Sequence, residues 1–219
     1  MAERHLGVKH YVLSALLCAA EEGNVTGIEE LTSIANVNLN MSNELSETPM
    51  HIAAGAGHLE MIKFLQVKGA NIDVLDKHGD SPLYWAARHG HLDVVDHLVA
   101  DDVPVNYQNK CRETPLHIAV RYGHVQVVSY LVANGASANI SDQHGETPVH
   151  IASWHGFPNI VQILCAVRPK LDLKNKYTAD DVESVGGFGN CFGRTRLFEC
   201  GSASSSLSAI GVYPNMIGF

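Results

Sequence analysis

A short motif that recurs four times at a spacing of 33 residues constrains this sequence more than any other feature. The four copies read TPMH, SPLY, TPLH and TPVH and begin at residues 48, 81, 114 and 147. A second motif, Gly–His or Gly–Phe, keeps the same step and begins at residues 57, 90, 123 and 156. Such a period indicates small units stacked in a row, each too small to bury its own apolar face.

The residues of one unit predict its local structure. The Thr or Ser hydroxyl suits a helix N-cap, and the proline after it suits the first helical position. A first helix over residues 115–122 would then end at Gly123. Residues 125–133 predict a second helix with its valines and leucine facing inward. The chain would then lead through residues 135–146, with a turn at 142–145, to the N-cap of the first helix in the next unit.

The loop after the second helix needs a residue with positive φ. Gly69 and Gly135 can adopt this conformation in two repeats, whereas Asp102 and Arg168 occupy the corresponding positions in the others. Asp tolerates the left-handed region better than Arg does. We therefore expect Asp102 to be held in a conformation that glycine adopts more easily.

The repeat resembles the ankyrin repeat, because a T-P-L-H-x-A motif with a later Gly–His at a 33-residue period is the ankyrin pattern. The predicted fold is an all-α ankyrin-repeat solenoid with a concave side. Residues 11–183 would form about five repeats, the first and last atypical. Residues 1–10 are expected to be an N-terminal extension, and the Gly/Ser-rich residues 184–219 a disordered tail.

Composition narrows the function classes. Apolar residues make up 46% of the 219 and charged residues 17%, as in a folded protein, and the net charge of −8 disfavours nucleic-acid binding. No apolar run approaches the ~20 residues of a membrane span. Five widely spaced cysteines favour a reducing, cytoplasmic setting. The apolar run at 11–20 also resembles a signal peptide, although a first-repeat helix is the preferred interpretation. We expect a monomer.

The thirteen histidines do not predict a metal site, because none has ligand spacing. His51, His117 and His150 are expected to bond the cap of their own helix. His58, His91 and His124 would lie at the turn between helices. No phosphate-binding loop or kinase signature occurs, so we expect no cofactor, no catalytic residue and no enzymatic activity.

Partner-binding residues are predicted on the concave side. The two residues before each helix-ending glycine vary between repeats and become more aromatic and cationic toward the C-terminus: Arg88, His89, Arg121, Tyr122, Trp154 and His155. Arg, Tyr and Trp are common at binding hot spots. The loop tips would add a polar rim of Lys77, His78, Asp80, Lys110, Glu113, His144 and Glu146. The alternative is that Trp154 packs on Tyr122 and the arginines are merely solvated. Trp85 replaces an isoleucine and is expected in the core.

Three stretches are more specific than the generic repeat. LYWAARHGH at residues 83–91, VRYGH at 120–124 and SWHG at 153–156 resemble the ankyrin region of the death-associated protein kinase family. The resemblance implies a protein-interaction platform linked to apoptosis, autophagy and the cytoskeleton. It covers residues 11–176 and none of the kinase, calmodulin-binding, nucleotide-binding or death-domain parts. The chain would be a protein-binding scaffold or, alternatively, a fragment or splice form of such a kinase.

Overall fold

A computed structural model describes residues 2–34 and 37–167, which contain ten α-helices and no strand. The helices are α1 (Ala2–Glu22), α2 (Val25–Ile34), α3 (Pro49–Ala56), α4 (Leu59–Val67), α5 (Pro82–His89), α6 (Leu92–Ala100), α7 (Pro115–Arg121), α8 (Val125–Ala133), α9 (Pro148–His155) and α10 (Pro158–Ala166). They form five helix pairs in a row, which confirms the predicted all-α repeat solenoid. Residues 168–183 at the end of the predicted repeat domain, which include Arg168, and the tail predicted at 184–219 lie outside the described residues.

The ends of the helices follow the predicted capping chemistry. Proline begins each first helix from α3 onward, and the Ser81 hydroxyl accepts the amide of Tyr84 at 3.2 Å. Gly57, Gly90 and Gly156 end their helices with φ of 80°, 80° and 71°. Helix α1 begins at Ala2, so it includes residues that we assigned to an N-terminal extension. The boundary at residue 10 stays a prediction.

The core lies between the first and second helices of neighbouring repeats. Second helices contribute large side chains such as Val94, Val95 and Leu98, which are fully buried. First helices contribute small ones, such as Ala86 and Ala87 of α5. Small residues allow neighbouring first helices to approach, and these helices pack more closely than the second helices do. The row therefore curves with its first helices on the inner, concave side.

One row of histidines joins each repeat to the repeat before it. The Nε2 atoms of His58, His91 and His124 lie 2.9 Å from the carbonyl oxygens of Glu21, Gly55 and Arg88 respectively. Each carbonyl belongs to the residue two positions before a helix-ending glycine. A Cβ added at Gly90 would lie 2.6 Å from Nδ1 of His124, so the glycine also makes room for the ring. The Gly–His motif is thus a contact between repeats, which the sequence pattern did not reveal.

A second row of side chains joins each repeat to the next one. As predicted, the Nδ1 atoms of His51, His117 and His150 lie within 3.0 Å of their cap hydroxyls. The backbone amide of Thr114 donates to Nδ1 of His117, and this requires the neutral ring with its proton on Nε2. Nε2 then donates to the carbonyl oxygen of Glu146 at 3.3 Å, and His51 reaches Asp80 at 3.0 Å in the same way. Burial lowers the pKa of His51 and of His117.

Before each first helix the chain forms a tight turn, here called a finger, over residues 43–47, 76–80, 109–113 and 142–146. The first residue of each finger is Asn or Asp, and its side-chain oxygen accepts two backbone amides of the same finger. Consecutive fingers are hydrogen bonded to each other, as Lys110 N is to His78 O at 3.0 Å and Gln143 N to Cys111 O at 2.9 Å. The predicted hairpins are therefore turns without assigned strands, linked into a continuous row.

Asp102→Gly tests the backbone conformation after the second helix. Asp102 has φ of 61°, where Gly69 and Gly135 have 86° and 87°, so the predicted left-handed conformation is confirmed. Glycine relieves the steric cost of this conformation but gains entropy in the unfolded chain, so we expect an unchanged or higher melting temperature. The reciprocal variant Gly69→Ala should lose about 1 kcal/mol, since its Cβ meets no atom within 4 Å and only the conformation is penalised. A clear fall in the melting temperature of Asp102→Gly would contradict this interpretation.

The buried histidines predict a dependence of stability on pH. Because the folded-state pKa of His117 is below its unfolded value of about 6.5, the unfolded chain binds more protons in acid. Stability contributed by the neutral ring is present above that value and is lost as the pH falls toward the folded pKa. Urea midpoints measured at about pH 7.5 and about pH 5.5 should differ less in His117→Gln than in the unsubstituted protein. His78→Gln, at an exposed finger position, is the control, and an equal effect of both variants would refute the assignment.

Candidate functional site

The helix-end ladder consists of the paired residues at the C-terminal ends of α5, α7 and α9: Arg88, His89, Arg121, Tyr122, Trp154 and His155. All except Arg121 are exposed, with Tyr122 at 50% and Trp154 at 47% of their full accessible surface. These ends belong to first helices, whose closer packing places the ladder on the concave side. Two large aromatic side chains are therefore exposed on a rigid scaffold, where they can be buried by a partner.

Contacts between neighbouring repeats order the ladder. The guanidinium of Arg88 lies 5.7 Å from the centre of the Tyr122 ring, which also stacks on His124 at 6.3 Å. His155 stacks on Phe157 of the same repeat at 5.8 Å, and burial followed by the charge of Arg121 lowers its pKa. Tyr122 is thus held on one side by Arg88 and on the other by His124. Cation–π and stacking contacts limit its rotamers, which reduces the entropy lost on binding.

Trp85 is only partly in the core. Its ring packs against the core, while its indole N–H donates to Asp76 at 3.2 Å. A Cβ added at Gly55 in the preceding repeat would lie 2.8 Å from the Trp85 ring. The small residue at position 55 therefore makes room for the indole that replaces an isoleucine. This explains why the helix-end ladder has no large side chain in the first full repeat.

The fingers place four of the predicted rim residues at the surface: Lys77, His78, Lys110 and His144 are exposed. The prediction that Asp80 belongs to this exposed rim is wrong. Its side chain is buried, and Oδ1 accepts the side-chain amide of Asn109 in the next finger at 2.7 Å. Burial raises the pKa of Asp80. Asp80 therefore holds two fingers together.

Glu113, another predicted rim residue, lies half-buried at the centre of a polar network. Its carboxylate accepts the hydroxyl of Tyr84 at 2.8 Å and forms an ion pair with Arg121. Tyr84 occupies the position of His51 and His117 and likewise reaches the next finger, but through this carboxylate. Burial and the neighbouring negative charge raise the pKa of the Tyr84 hydroxyl, which stays a neutral donor. Arg121 thus connects the helix-end ladder to the fingers.

A small cleft brings together predicted residues from both groups. It is lined by Arg121 of the helix-end ladder and by finger residues Glu113, His144 and Glu146, together with Cys111, Asp142 and Gln143. Its volume is about 170 Å³, which is below the ~300–1,000 Å³ typical of small-molecule sites. The cleft has room for one polar side chain of a partner, with carboxylates and cations both in reach.

The sequence analysis missed the residues that build the fingers. Asn43, Asp76, Asn109 and Asp142 recur at the 33-residue step and anchor each finger through two backbone amides. A search for Asn or Asp at that step would have found them. The exposed Arg112, at the tip of the third finger, was also missed because its role depends on a backbone conformation.

Over residues 2–34 and 37–167 no cluster of His, Cys, Asp or Glu side chains has an arrangement able to hold a metal ion. In the same part of the chain no helix has both the length and the apolar character that crossing a membrane requires.

Comparison with known families supports the repeat assignment. Residues 16–109 and 97–175 match the family model described as ankyrin repeats in three copies. No curated protein matches the chain in a sequence search.

Replacing Glu113 tests the network between finger and helix-end ladder. Glu113→Ala leaves the buried Tyr84 hydroxyl and the half-buried Arg121 without their acceptor, which should lower the free energy of unfolding by about 2 kcal/mol. Glu60→Ala is the matched control, because Glu60 pairs with Lys63 in an exposed i,i+3 ion pair and should contribute about 0.5 kcal/mol or less. Urea denaturation of both variants measures the difference, and equal losses would contradict the network.

Proposed function

We propose, on the premise that this chain belongs to the ankyrin-repeat family, that it is a scaffold that binds a partner protein on its concave surface. Ankyrin repeats are generally protein–protein interaction modules, and the scaffold has a typically non-enzymatic all-helical fold. The observation that carries the proposal is the exposure of Tyr122, whose ring Arg88 contacts, and of Trp154 at the ends of first helices. Side chains of these three types contribute most to binding energy at protein interfaces.

The geometry favours contact by the helix-end ladder over a purely structural role. Tyr122 remains half exposed although Arg88 and His124 both contact it, so part of its ring is still accessible. The two arginines differ from each other. Arg121 forms an ion pair with Glu113, while Arg88 is exposed and lies over the Tyr122 ring. The contact residues proposed here are Arg88, His89, Tyr122, Trp154 and His155, with Arg121 positioning the finger beside them.

The relation to death-associated protein kinase rests on the three sequence stretches at 83–91, 120–124 and 153–156 alone. Three further proposals depend on the same resemblance: a cytoplasmic or cytoskeletal location, a role in apoptosis, and origin as a fragment or splice form of a larger kinase. Sequencing the transcript upstream of the codon for Met1 tests this relation. An in-frame kinase domain would support it, and a transcript that begins at that codon would argue against it.

A matched pair of variants tests the proposed surface. Arg88→Ala/Tyr122→Ala/Trp154→Ala should remove most proteins that co-purify with the chain, because each truncation of a hot-spot residue costs about 1–3 kcal/mol of binding energy. The control Lys63→Ala/Val67→Ala/Lys68→Ala changes exposed residues of second helix α4 or its C-cap, where Val67 is 84% exposed, and should keep every partner. Quantitative mass spectrometry of affinity-purified complexes measures both, after circular dichroism shows that each variant is folded. Retention of all partners by the first variant would reject the surface.

A further inference from the structure

We propose that the partner presents an acidic segment to the fingers, and that Arg112 and Lys110 of the third finger contact its carboxylates. This inference rests on the proposed function, because it names the chemistry of the partner that the concave surface binds. It is carried by three properties of the third finger: its cations, its neutral anchor and the backbone conformation of Arg112.

The third finger carries two exposed cations, while its carboxylate, that of Glu113, is half-buried and paired with Arg121. Lys110 and Arg112 are both exposed, and Asn109 anchors the finger through its amide oxygen. The fingers on either side use the carboxylates of Asp76 and Asp142 for the same two hydrogen bonds. The anchor of the third finger is therefore neutral, and the carboxylate of Asp80 in the preceding finger accepts its side-chain amide.

Arg112 is held in a conformation that its side chain makes unfavourable. Its φ is 61°, whereas glycine occupies the corresponding positions of the neighbouring fingers, Gly79 and Gly145, with φ of 80°. Its carbonyl oxygen accepts Gln108 Nε2 at 2.7 Å, but within the described ranges its guanidinium makes no hydrogen bond or ion pair. Left-handed residues other than glycine are strained, and such strain concentrates at functional sites. A guanidinium that stabilises nothing within the described fold is available for a ligand.

Charge is distributed unevenly over the molecule. From residue 49 to residue 167 the exposed carboxylates lie on and after the second helices, where Lys63 and Lys68 are exposed as well: Glu60, Asp73, Asp93, Asp96, Asp101 and Asp102. At the second, third and fourth fingers the exposed Lys, Arg, Asp and Glu side chains are the cations Lys77, Lys110 and Arg112, while the carboxylates there are half-buried (Glu113 and Glu146) or buried and hydrogen bonded (Asp76, Asp80 and Asp142). The first finger differs, since Glu44 is exposed there. An acidic segment would therefore be attracted to the later fingers and repelled by the opposite face.

The fingers also offer the right geometry for an extended segment. Backbone hydrogen bonds between fingers fix Lys77, Lys110 and Gln143 in a row, and Lys110 Nζ donates to the carbonyl oxygen of Lys77 at 2.6 Å. Arg112 lies between Cys111 and Glu113 in the sequence, and both of these line the cleft that also contains Arg121, His144, Asp142 and Glu146. An extended peptide running along the row would meet a cation at the second and the third finger. Two or more charge pairs of this kind add specificity as well as attraction.

Selection from a phage-displayed library of random peptides, with the whole chain as bait, provides the probe. The enriched peptides should carry an excess of Asp and Glu. The best acidic peptide is then synthesised with a fluorescent label, and its affinity is measured at low and at high salt. We expect Arg112→Gly to weaken binding by about fivefold at low salt and less at high salt, as for exposed charge pairs.

Two control variants separate the effect of the Arg112 charge on binding from the effect of its backbone conformation. Ser46→Gly relieves the same left-handed conformation, φ 61°, at the first finger without removing a cation, and should leave the affinity unchanged. Lys63→Ala removes one exposed cation from a second helix and should also bind normally. Arg112→Gly should have an unchanged or higher melting temperature while binding more weakly, a combination that a purely structural role of Arg112 would not give.

The outcomes distinguish this inference from the proposed function. Loss of peptide binding in Arg112→Gly with retained stability supports the acidic segment. Neutral or basic peptides whose binding depends on Arg88, Tyr122 and Trp154 but not on Arg112 would overturn it and leave the concave surface intact. Peptides that depend on neither set of residues would overturn both.

Discussion

Hydrogen bonds between repeats, made by side chains at two positions of the period, are the constraint on which the rest of this structure depends. One position reaches back to a carbonyl of the preceding repeat, as His91 does to Gly55. The other reaches forward to the next finger, as His51 does to Asp80. Apolar burial alone would let repeats slide over one another, whereas these directional bonds fix their register.

Fixing the register has consequences for the surface. The fingers are anchored internally by Asn or Asp, joined to each other by backbone hydrogen bonds and held to the helices by Glu113 and His117. The ends of α3, α5 and α7 are ordered at the same time, because Gly57, Gly90 and Gly123 pack against an aromatic ring of the next repeat: His91, His124 and Phe157. Side chains displayed there, such as Tyr122 and Trp154, stand on backbone that need not be ordered again when a partner binds.

Departures from the repeat pattern fall into two groups with different physical meaning. Tyr84 replaces histidine and Trp85 replaces isoleucine, and both are accommodated within the fold by Glu113 and Gly55. Arg112 replaces glycine and is not accommodated, since its strain is offset by no contact of its side chain in the described residues. Compensated departures preserve the scaffold. Ser46 and Asp102 also replace glycine with φ of 61°, but Arg112 is the cation among them and carries the inference that an acidic segment binds at the third finger.

The sequence by itself determined the repeat, its helices and their caps, because proline, the cap hydroxyls and glycine act on their immediate neighbours. It also located the exposed helix ends, since they precede a glycine at a fixed offset. Only the tertiary structure decided that Asp80 is buried, that Glu113 binds Tyr84 and Arg121, and that Arg112 is strained without compensation. The contacts of Asp80 with Asn109 and of Glu113 with Tyr84 join residues 29 positions apart, and the strain of Arg112 is a backbone angle, so neither follows from a local pattern of residue types.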